Sequence, residues 1–572
     1  MEEKKLLSEF IFDQNTGVHI PPAVNAAELM AQFKYADWSE SYIEKSLDLS
    51  NDVSYDSDEL MNKVRDWPSY YHLGIGRANH LRALRLNNNA KVLEVGSGCG
   101  AITRYLAEKF TAVDALEGSF LRAKITRKRC RGLNNVRVFC ANIDAVSCIG
   151  SYDIIIMNGV LEYAPLYIKG DSPRNSCKQL LNIVKESLKQ QGVVITSIEN
   201  QIGFKYFSGC VEDHTGKVYD GIHGYPEENT PVTFSRKELV ALFQEGGFLH
   251  SDFYYCFPDY KFAATILTDN GDSQEYFLHN WIETPFPHFH FQRKHSFNEP
   301  LVLRTLSQAG LLKDFANSFI VVSRKIDSNE YYVPPNWIAS CFSLTSRRKE
   351  LRCRTTLYNE PKLFIKKERL NGNPDALTLR YSDTVLHHKI GESKWIAGEL
   401  MSFEVYEALF KKNYKKYLIQ ILTNYVDELK RKFSTDKTDK EGFDLLTGNS
   451  IDYILANLIK SDTRLTGIDD EWRLEENVPI DFILCRSLII SLRKQGYWLK
   501  NKVLCLLWLE FMLIRVLMPQ YSLKRHFFNL LREKKFQKVV RGNITKPPLK
   551  MGIVKIVMYK FRVLCSMLLR KK

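Results

Sequence analysis

Residues 92–100 read Val92-Leu93-Glu94-Val95-Gly96-Ser97-Gly98-Cys99-Gly100, and this stretch decides the fold. Val92, Leu93 and Val95 give the short apolar run of a buried strand. An acid then precedes three glycines at Gly-x-Gly-x-Gly spacing, and residues 101–109 continue with helical periodicity. Glycine lets the chain turn tightly and approach a ligand closely. The start of a helix leaves backbone N–H groups free to meet it. The spacing is not the Gly-x-Gly-x-x-Gly of dinucleotide sites, nor a P-loop. Working outward, residues 90–95, 112–116, 136–140, 152–157 and 192–198 read as strands. Residues 101–109 and 175–188 read as helices, and a late strand at 318–323 is expected to close the sheet. Such alternation predicts a parallel, helix-covered sheet.

Three further parts follow in order. Strand two ends at Leu116-Glu117-Gly118, where an acid can accept from both hydroxyls of a ribose. Asp114 is the alternative carboxylate, but it lies inside the strand. Strand three ends at Ala141-Asn142-Ile143, and strand four runs into Asn158-Gly159-Val160-Leu161-Glu162-Tyr163. With the glycine loop, these resemble the class I S-adenosylmethionine-dependent methyltransferases over residues 67–326. The resemblance implies a Rossmann-like, mostly parallel α/β sheet with S-adenosylmethionine as cofactor. It places Glu94, Gly96, Gly98, Gly100, Glu117, Asn142, Ile143 and Asn158 at that cofactor. Tyr71 and Arg77 lie ahead of the first strand, in a segment expected either to lid the cofactor or to form a plain surface helix.

In open parallel sheets the site lies at the carboxyl ends of the strands. Glu162 follows strand four, Glu199 ends strand five, and His214 comes soon after beside Glu212 and Asp213. Glu162 and Glu199 are expected to face the crevice, with His214 as general base for an acceptor hydroxyl or as a solvated turn residue. No Asn/Asp-Pro-Pro-Tyr/Phe run follows strand four, which argues against an amide or ring-nitrogen acceptor. Residues 199–225 and Pro258-Asp259-Tyr260-Lys261 resemble methyltransferases of bacterial surface-polysaccharide (O-antigen, lipopolysaccharide) biosynthesis. The aromatics Tyr206, Phe207, Tyr219, Tyr225, Phe253, Tyr254 and Tyr255 suit a sugar cleft, or a core.

Residues 327–335 form a linker candidate with a proline pair. Beyond it, Asp452 and Asn457 stand five apart, and Asp469 follows Asn457 by 12. Those spacings, with Leu363-Phe364-Ile365-Lys366 upstream, resemble a small-molecule-kinase-like α+β domain over 336–500. The resemblance implies Asp452 as the catalytic base or orienting residue, Asn457 and Asp469 as magnesium ligands, and Lys366 on the phosphates of ATP, with Glu404 or Glu407 as its partner. Ser450 replaces the usual histidine and no glycine-rich loop is visible, so an inactive pseudokinase is the alternative. The order of the two parts resembles bifunctional methyltransferase–kinases that cap O-antigen chains.

The 572 residues carry a net charge of +14. Residues 501–572 hold 17 Lys and Arg against Glu510 and Glu533, a net of +15, which leaves residues 1–500 at −1. An anionic partner therefore meets the tail. Its basic residues alternate with Ile, Val, Leu and Met, a pattern suited to an interfacial helix on anionic lipid and unlike a nucleic-acid arm. The apolar run at 503–518 is short for a bilayer span. The 12 cysteines form no C-x-x-C pair, and no apolar leader follows Met1. These features predict a reduced cytoplasmic setting, peripheral on the inner face of the plasma membrane. The expected partners are a lipid-linked or polymeric saccharide and a glycosyltransferase. The domain reading is a loosely packed lead-in at 1–66, then 67–326, 336–500 and the tail at 501–572.

Overall fold

The computed structural model describes residues 4–493 apart from 23, 25–28, 30–38, 273, 285, 287–295, 346, 382–383, 441 and 462–463. The basic tail and the whole 503–518 run therefore fall outside the described residues. Among the described residues no helix is long and apolar enough to cross a membrane.

One sheet of 14 strands organises the chain. Its strands are β1 (Ile11–Asp13), β2 (Val18–Ile20), β3 (Lys91–Val95), β4 (Ala112–Glu117), β5 (Val136–Cys140), β6 (Tyr152–Asn158) and β7 (Leu188–Glu199). These are followed by β8 (His250–Phe257), β9 (Thr265–Leu267), β10 (Ser318–Arg324), β11 (Trp337–Phe342), β12 (Cys353–Tyr358), β13 (Phe364–Arg369) and β14 (Glu392–Lys394). The spatial order is β1-β2-β5-β4-β3-β6-β7-β10-β8-β9-β11-β12-β13-β14. Strands β5, β4, β3, β6 and β7 are parallel, as their unbroken apolar runs require of strands covered on both faces. Every residue of β6 is buried.

The late strand β10 does not close the sheet. It inserts antiparallel between β7 and β8, with Thr196 opposite Val321 and Tyr254 opposite Ile320. The sheet therefore becomes antiparallel from β10 onward and takes strands from both sides of the 327–335 segment. Within that segment Tyr332–Val333 pairs with Arg85–Leu86, and the Tyr332 and Tyr254 hydroxyls share a hydrogen bond.

The described parts of the lead-in are packed rather than loose. Strand β2 pairs parallel with β5 through His19 and Phe139. Helix α1 (Glu40–Asp48) lies on α2 (Phe120–Arg129), and Glu40 meets the Arg122 guanidinium at 2.8 Å in a buried ion pair. Lys128 reaches Glu44 and Asp48 at 2.8 and 2.9 Å.

A second apolar core lies beyond residue 350. It joins α3 (Met401–Ala408), α4 (Tyr414–Phe433) and α5 (Ile480–Arg493) with Leu446, Ile451, Leu455, Trp472 and Leu474.

Candidate active site

The turn after β3 takes left-handed backbone at Gly96, Gly98 and Gly100, with φ of 73°, 56° and 80°. A side chain at Gly96 would meet Val160 Cγ2 at 2.9 Å, and one at Gly100 would meet the Thr126 backbone at 2.9 Å. Gly98 instead faces open space, with His72 the nearest neighbour at 4.0 Å. The helix Ala101–Lys109 starts directly behind the loop. The loop is pinned to β4, since the N–H groups of Gly96 and Ser97 donate to the Leu116 carbonyl at 2.9 and 3.0 Å.

Glu117, at the end of β4, accepts from Gly98 N–H at 2.7 Å and from Ser119 N–H at 3.0 Å. Burial raises its carboxyl above the ordinary range. Asp114 is engaged elsewhere, by Arg137 and the Tyr152 hydroxyl at 2.7 Å each. Glu94 is fully enclosed, accepts from the Thr103 hydroxyl at 2.5 Å, and is pushed up to about 8 by burial. It is therefore held protonated at neutral pH.

Glu94, Gly96, Gly98 and Glu117 line a cavity of about 680 Å³ together with Trp67, Tyr71, Arg77, Asn142, Ile143 and Asn158, whereas Gly100 lies outside its lining, packed against Thr126. Arg77 donates to the Lys261 carbonyl at 2.8 Å and lies 4.0 Å over the Tyr71 ring, and its Nε has no partner. Asn158 Oδ1 lies 3.0 Å from His80 Nε2, and Asn158 Nδ2 is without a partner. Burial beside Arg77 lowers His80 to about 3, so it is neutral. A glycine loop open at Gly98, a carboxylate behind it, and unpartnered donors on Arg77 and Asn158 fit a small molecule bearing hydroxyl and carboxylate groups. S-Adenosylmethionine is such a molecule. Tyr71 and Arg77 thus belong to the cavity and not to a plain surface helix.

The same cavity continues past Glu162, Tyr163, Lys205, Asp213, His214, Asp259 and Lys261. Here the chain ends of β6 and β7 bring three predicted residues together. His214 Nε2 lies 3.4 Å from Glu162 Oε1 and 3.7 Å from Glu199 Oε2, and its Nδ1 is 2.8 Å from Glu212 Oε1. All four side chains are buried, so His214 is not a solvated turn residue. Burial pulls the imidazole down, but Glu199, Glu162 and Glu212 outweigh it and hold it well above its usual range. Burial raises Glu162. Glu199 Oε1 accepts from Lys261, which also donates to Asp213 at 3.0 Å. Lys205 pairs with Asp213 at 2.6 Å.

Lys205, Lys261 and His80 were not singled out from the sequence. The acids Asp213 and Asp259 were the available signal, since a lysine is almost never fully buried unless paired. The proposed sugar-cleft aromatics divide: Tyr206, Phe253, Tyr254 and Tyr255 are core, while Phe207 and Tyr219 are exposed.

Beyond residue 336, Asp452, Asn457 and Asp469 do converge. Asn457 Nδ2 donates to the Asp452 carbonyl at 3.1 Å and to the Asp469 carbonyl at 3.4 Å. Lys366 is not the inward lysine. It is largely exposed and pairs with Glu368 at 2.8 Å, whereas Lys367 contacts Asp469 and lies 3.5 Å from Glu471. On a strand, neighbours face opposite ways, and Lys367 shares the face of buried Ile365. Nor is its partner Glu404 or Glu407, which pair with Lys460 and Arg304 at 2.7 Å. Glu471 takes that place, beside Arg347 and 3.3 Å from His388.

The sheet order and the glycine loop with its two acids define a class I S-adenosylmethionine-dependent methyltransferase domain. Residues 93–194 match the family described as methyltransferase domain. The chain is similar to malonyl-[acyl-carrier protein] O-methyltransferase of Bacillus anthracis, 27% identical over 129 residues, which is 22% of this chain and 43% of that protein. It thus spans less than half the length of that curated relative. Among solved structures, it is similar to phosphoethanolamine N-methyltransferase 2 of Haemonchus contortus in complex with S-adenosyl-L-methionine. That match is 15% identical, covers 54% of this chain and 62% of that one, and has a TM-score of 0.29. A possible histamine N-methyltransferase of Thermotoga maritima is 16% identical, covering 44% and 88% with a TM-score of 0.25. TM-scores this low say nothing of substrate.

Proposed function

We propose that the protein transfers a methyl group from S-adenosylmethionine to an oxygen of a surface-polysaccharide chain, either a saccharide hydroxyl or a sugar phosphate. The observation that carries this reading is that Glu162 and His214 line the same cavity as the glycine loop and Glu117, with Glu199 buried against His214. When bound, the cofactor supplies an electrophilic methyl on a sulfonium. Glu117 and the loop fix its ribose end, and Arg77 and Asn158 offer unpartnered donors. The Glu162 carboxylate receives the acceptor's proton, beside the His214 imidazole that Glu212 orients through Nδ1. Lys205 and Lys261 face the same space and suit a phosphate-bearing acceptor. The likeness to an O-methyltransferase supports oxygen as the acceptor atom. The test is transfer of labelled methyl to lipid-linked glycans extracted from bacteria. Label in the glycan, lost in Glu162→Gln, is expected. Label in no glycan fraction would sink the saccharide assignment.

A second reading concerns residues 336–493. The Asp452 carboxylate accepts from the N–H groups of Glu471 and Trp472 at 3.0 and 2.8 Å, and burial raises it well above its ordinary range. An acid tied down in this way supports an inactive, pseudokinase-like scaffold over phosphotransfer with ATP and magnesium. Such a scaffold would hold a glycosyltransferase, with the basic tail on an anionic inner membrane face. Pull-down of a glycosyltransferase that survives Asp469→Ala supports this reading, and ATP-dependent phosphorylation of the glycan removes it.

A further inference from the structure

Among the described residues, Glu162, Glu199 and His214 form a group of side chains whose ligand atoms all lie within 4.8 Å of one another. Neither oxygen of Glu162 is satisfied by a hydrogen bond, nor is Glu199 Oε2, although both side chains are fully buried. An orphaned buried carboxylate is costly. The surroundings do not balance it: among the described residues the five acids Glu162, Glu199, Glu212, Asp213 and Asp259 face three basic side chains, Lys205, Lys261 and His214.

We infer that this cluster is a binding site for one divalent cation, held by Glu162, Glu199 Oε2 and His214 Nε2. The inference deepens the methyl-transfer reading and rests on it for the site's purpose. An ion about 2.1 Å from each ligand atom needs neighbouring ligands about 3.0–3.5 Å apart. His214 Nε2 already sits 3.4 Å from Glu162 and 3.7 Å from Glu199. The other imidazole nitrogen is 2.8 Å from Glu212 Oε1, and ligating histidines characteristically donate their second N–H to a carboxylate. Glu212 is itself fixed by the N–H groups of His214 and Thr215 at 2.7 Å each. Lys261 occupies the opposite oxygen of Glu199 and leaves Oε2 free. Two carboxylates and one imidazole suit manganese, iron or zinc in the divalent state. Three protein ligands leave positions open, and because Glu162 and His214 line the cavity, those positions face the acceptor oxygen.

The test uses the full chain freed of metal with a chelator and titrated with Mn²⁺ by calorimetry. One ion per chain is expected, with zinc competing for it. Pulsed electron paramagnetic resonance of the wild type should read a directly bound nitrogen. Glu162→Gln and His214→Gln should lose the ion, and Glu212→Gln should weaken it about 10- to 100-fold. S-Adenosylmethionine is titrated into the same samples. Cofactor binding without Mn²⁺ uptake at millimolar concentration, uptake unchanged in both ligand variants, or no nitrogen coupling would overturn the metal site while leaving methyl transfer standing. Mn²⁺ uptake without cofactor binding would do the reverse.

Discussion

Gly98 donates its backbone N–H to Glu117 Oε2 across 2.7 Å, so the glycine loop and the acid ending the next strand are tied together. The acid's second oxygen is held by Ser119 N–H at 3.0 Å. Glu117 is thus aimed by backbone, at low cost in side-chain freedom, towards the place where a ribose would lie. Glu117→Ala should raise the dissociation constant of S-adenosylmethionine about 10- to 100-fold, the loss expected for hydrogen bonds to a charged acceptor. Calorimetric titration reads it, and an unchanged constant removes Glu117 from the cofactor.

The loop glycines should separate binding from folding. An alanine at Gly98 would project into open space from a left-handed backbone, at a cost of about 1–2 kcal/mol. An alanine at Gly100 meets the Thr126 backbone at 2.9 Å as well. Gly98→Ala should therefore weaken cofactor binding with a small drop in Tm, and Gly100→Ala should lower Tm sharply. Thermal melts with and without cofactor distinguish them, and equal Tm losses would contradict the geometry.

The parts of this design carried by local pattern were legible in the sequence. Helix Ala101–Lys109 and strand Val136–Cys140 fall where periodicity put them, because their neighbours in sequence are also their neighbours in the fold. The convergence of Glu162, Glu199 and His214 followed from one rule, that strand ends share an edge. The insertion of β10 between β7 and β8 was not legible, since strand order is set by pairing across more than 100 residues. The Lys366 error has a different origin. A one-residue shift reverses a strand's faces, and only the burial of Ile365 shows that Lys367 is the inward lysine. Lys205 and Lys261 become visible only when two distant loops meet.

His80 should govern stability on the acid side. Its folded value is about 3 against 6.5 for the free side chain. The unfolded chain therefore takes a proton below about 6.5 that the folded chain refuses, and stability falls as pH falls from there towards 3. The slope is about 1.4 kcal/mol per pH unit for one such group. Glu94 acts at the other end. Its folded value of about 8 against 4.5 means the fold keeps a proton the unfolded chain releases, so stability falls as pH rises from about 4.5 to 8. His80→Gln should flatten the decline between pH 6 and 4, and Glu94→Gln the decline between pH 5 and 8. Denaturant unfolding across pH reads both, and parallel curves for wild type and variant would refute either one.

The last prediction concerns the second unit. Lys367 touches Asp469 and lies near Glu471, whereas Lys366 pairs with Glu368 at the surface. A nucleotide phosphate with magnesium would draw on the inward lysine and on Asp469. On the scaffold reading ATP with magnesium should leave the Tm of wild type unmoved, whereas phosphotransfer requires a rise in wild type and in Lys366→Met that Lys367→Met lacks. The readout is the shift on adding ligand, because Lys367→Met also leaves the buried Glu471 and the half-exposed Asp469 short of a partner and lowers the starting Tm. A shift in Lys367→Met equal to wild type would place the nucleotide elsewhere. No shift in wild type would make residues 336–493 a scaffold without a nucleotide, consistent with an Asp452 already bonded to the N–H groups of Glu471 and Trp472.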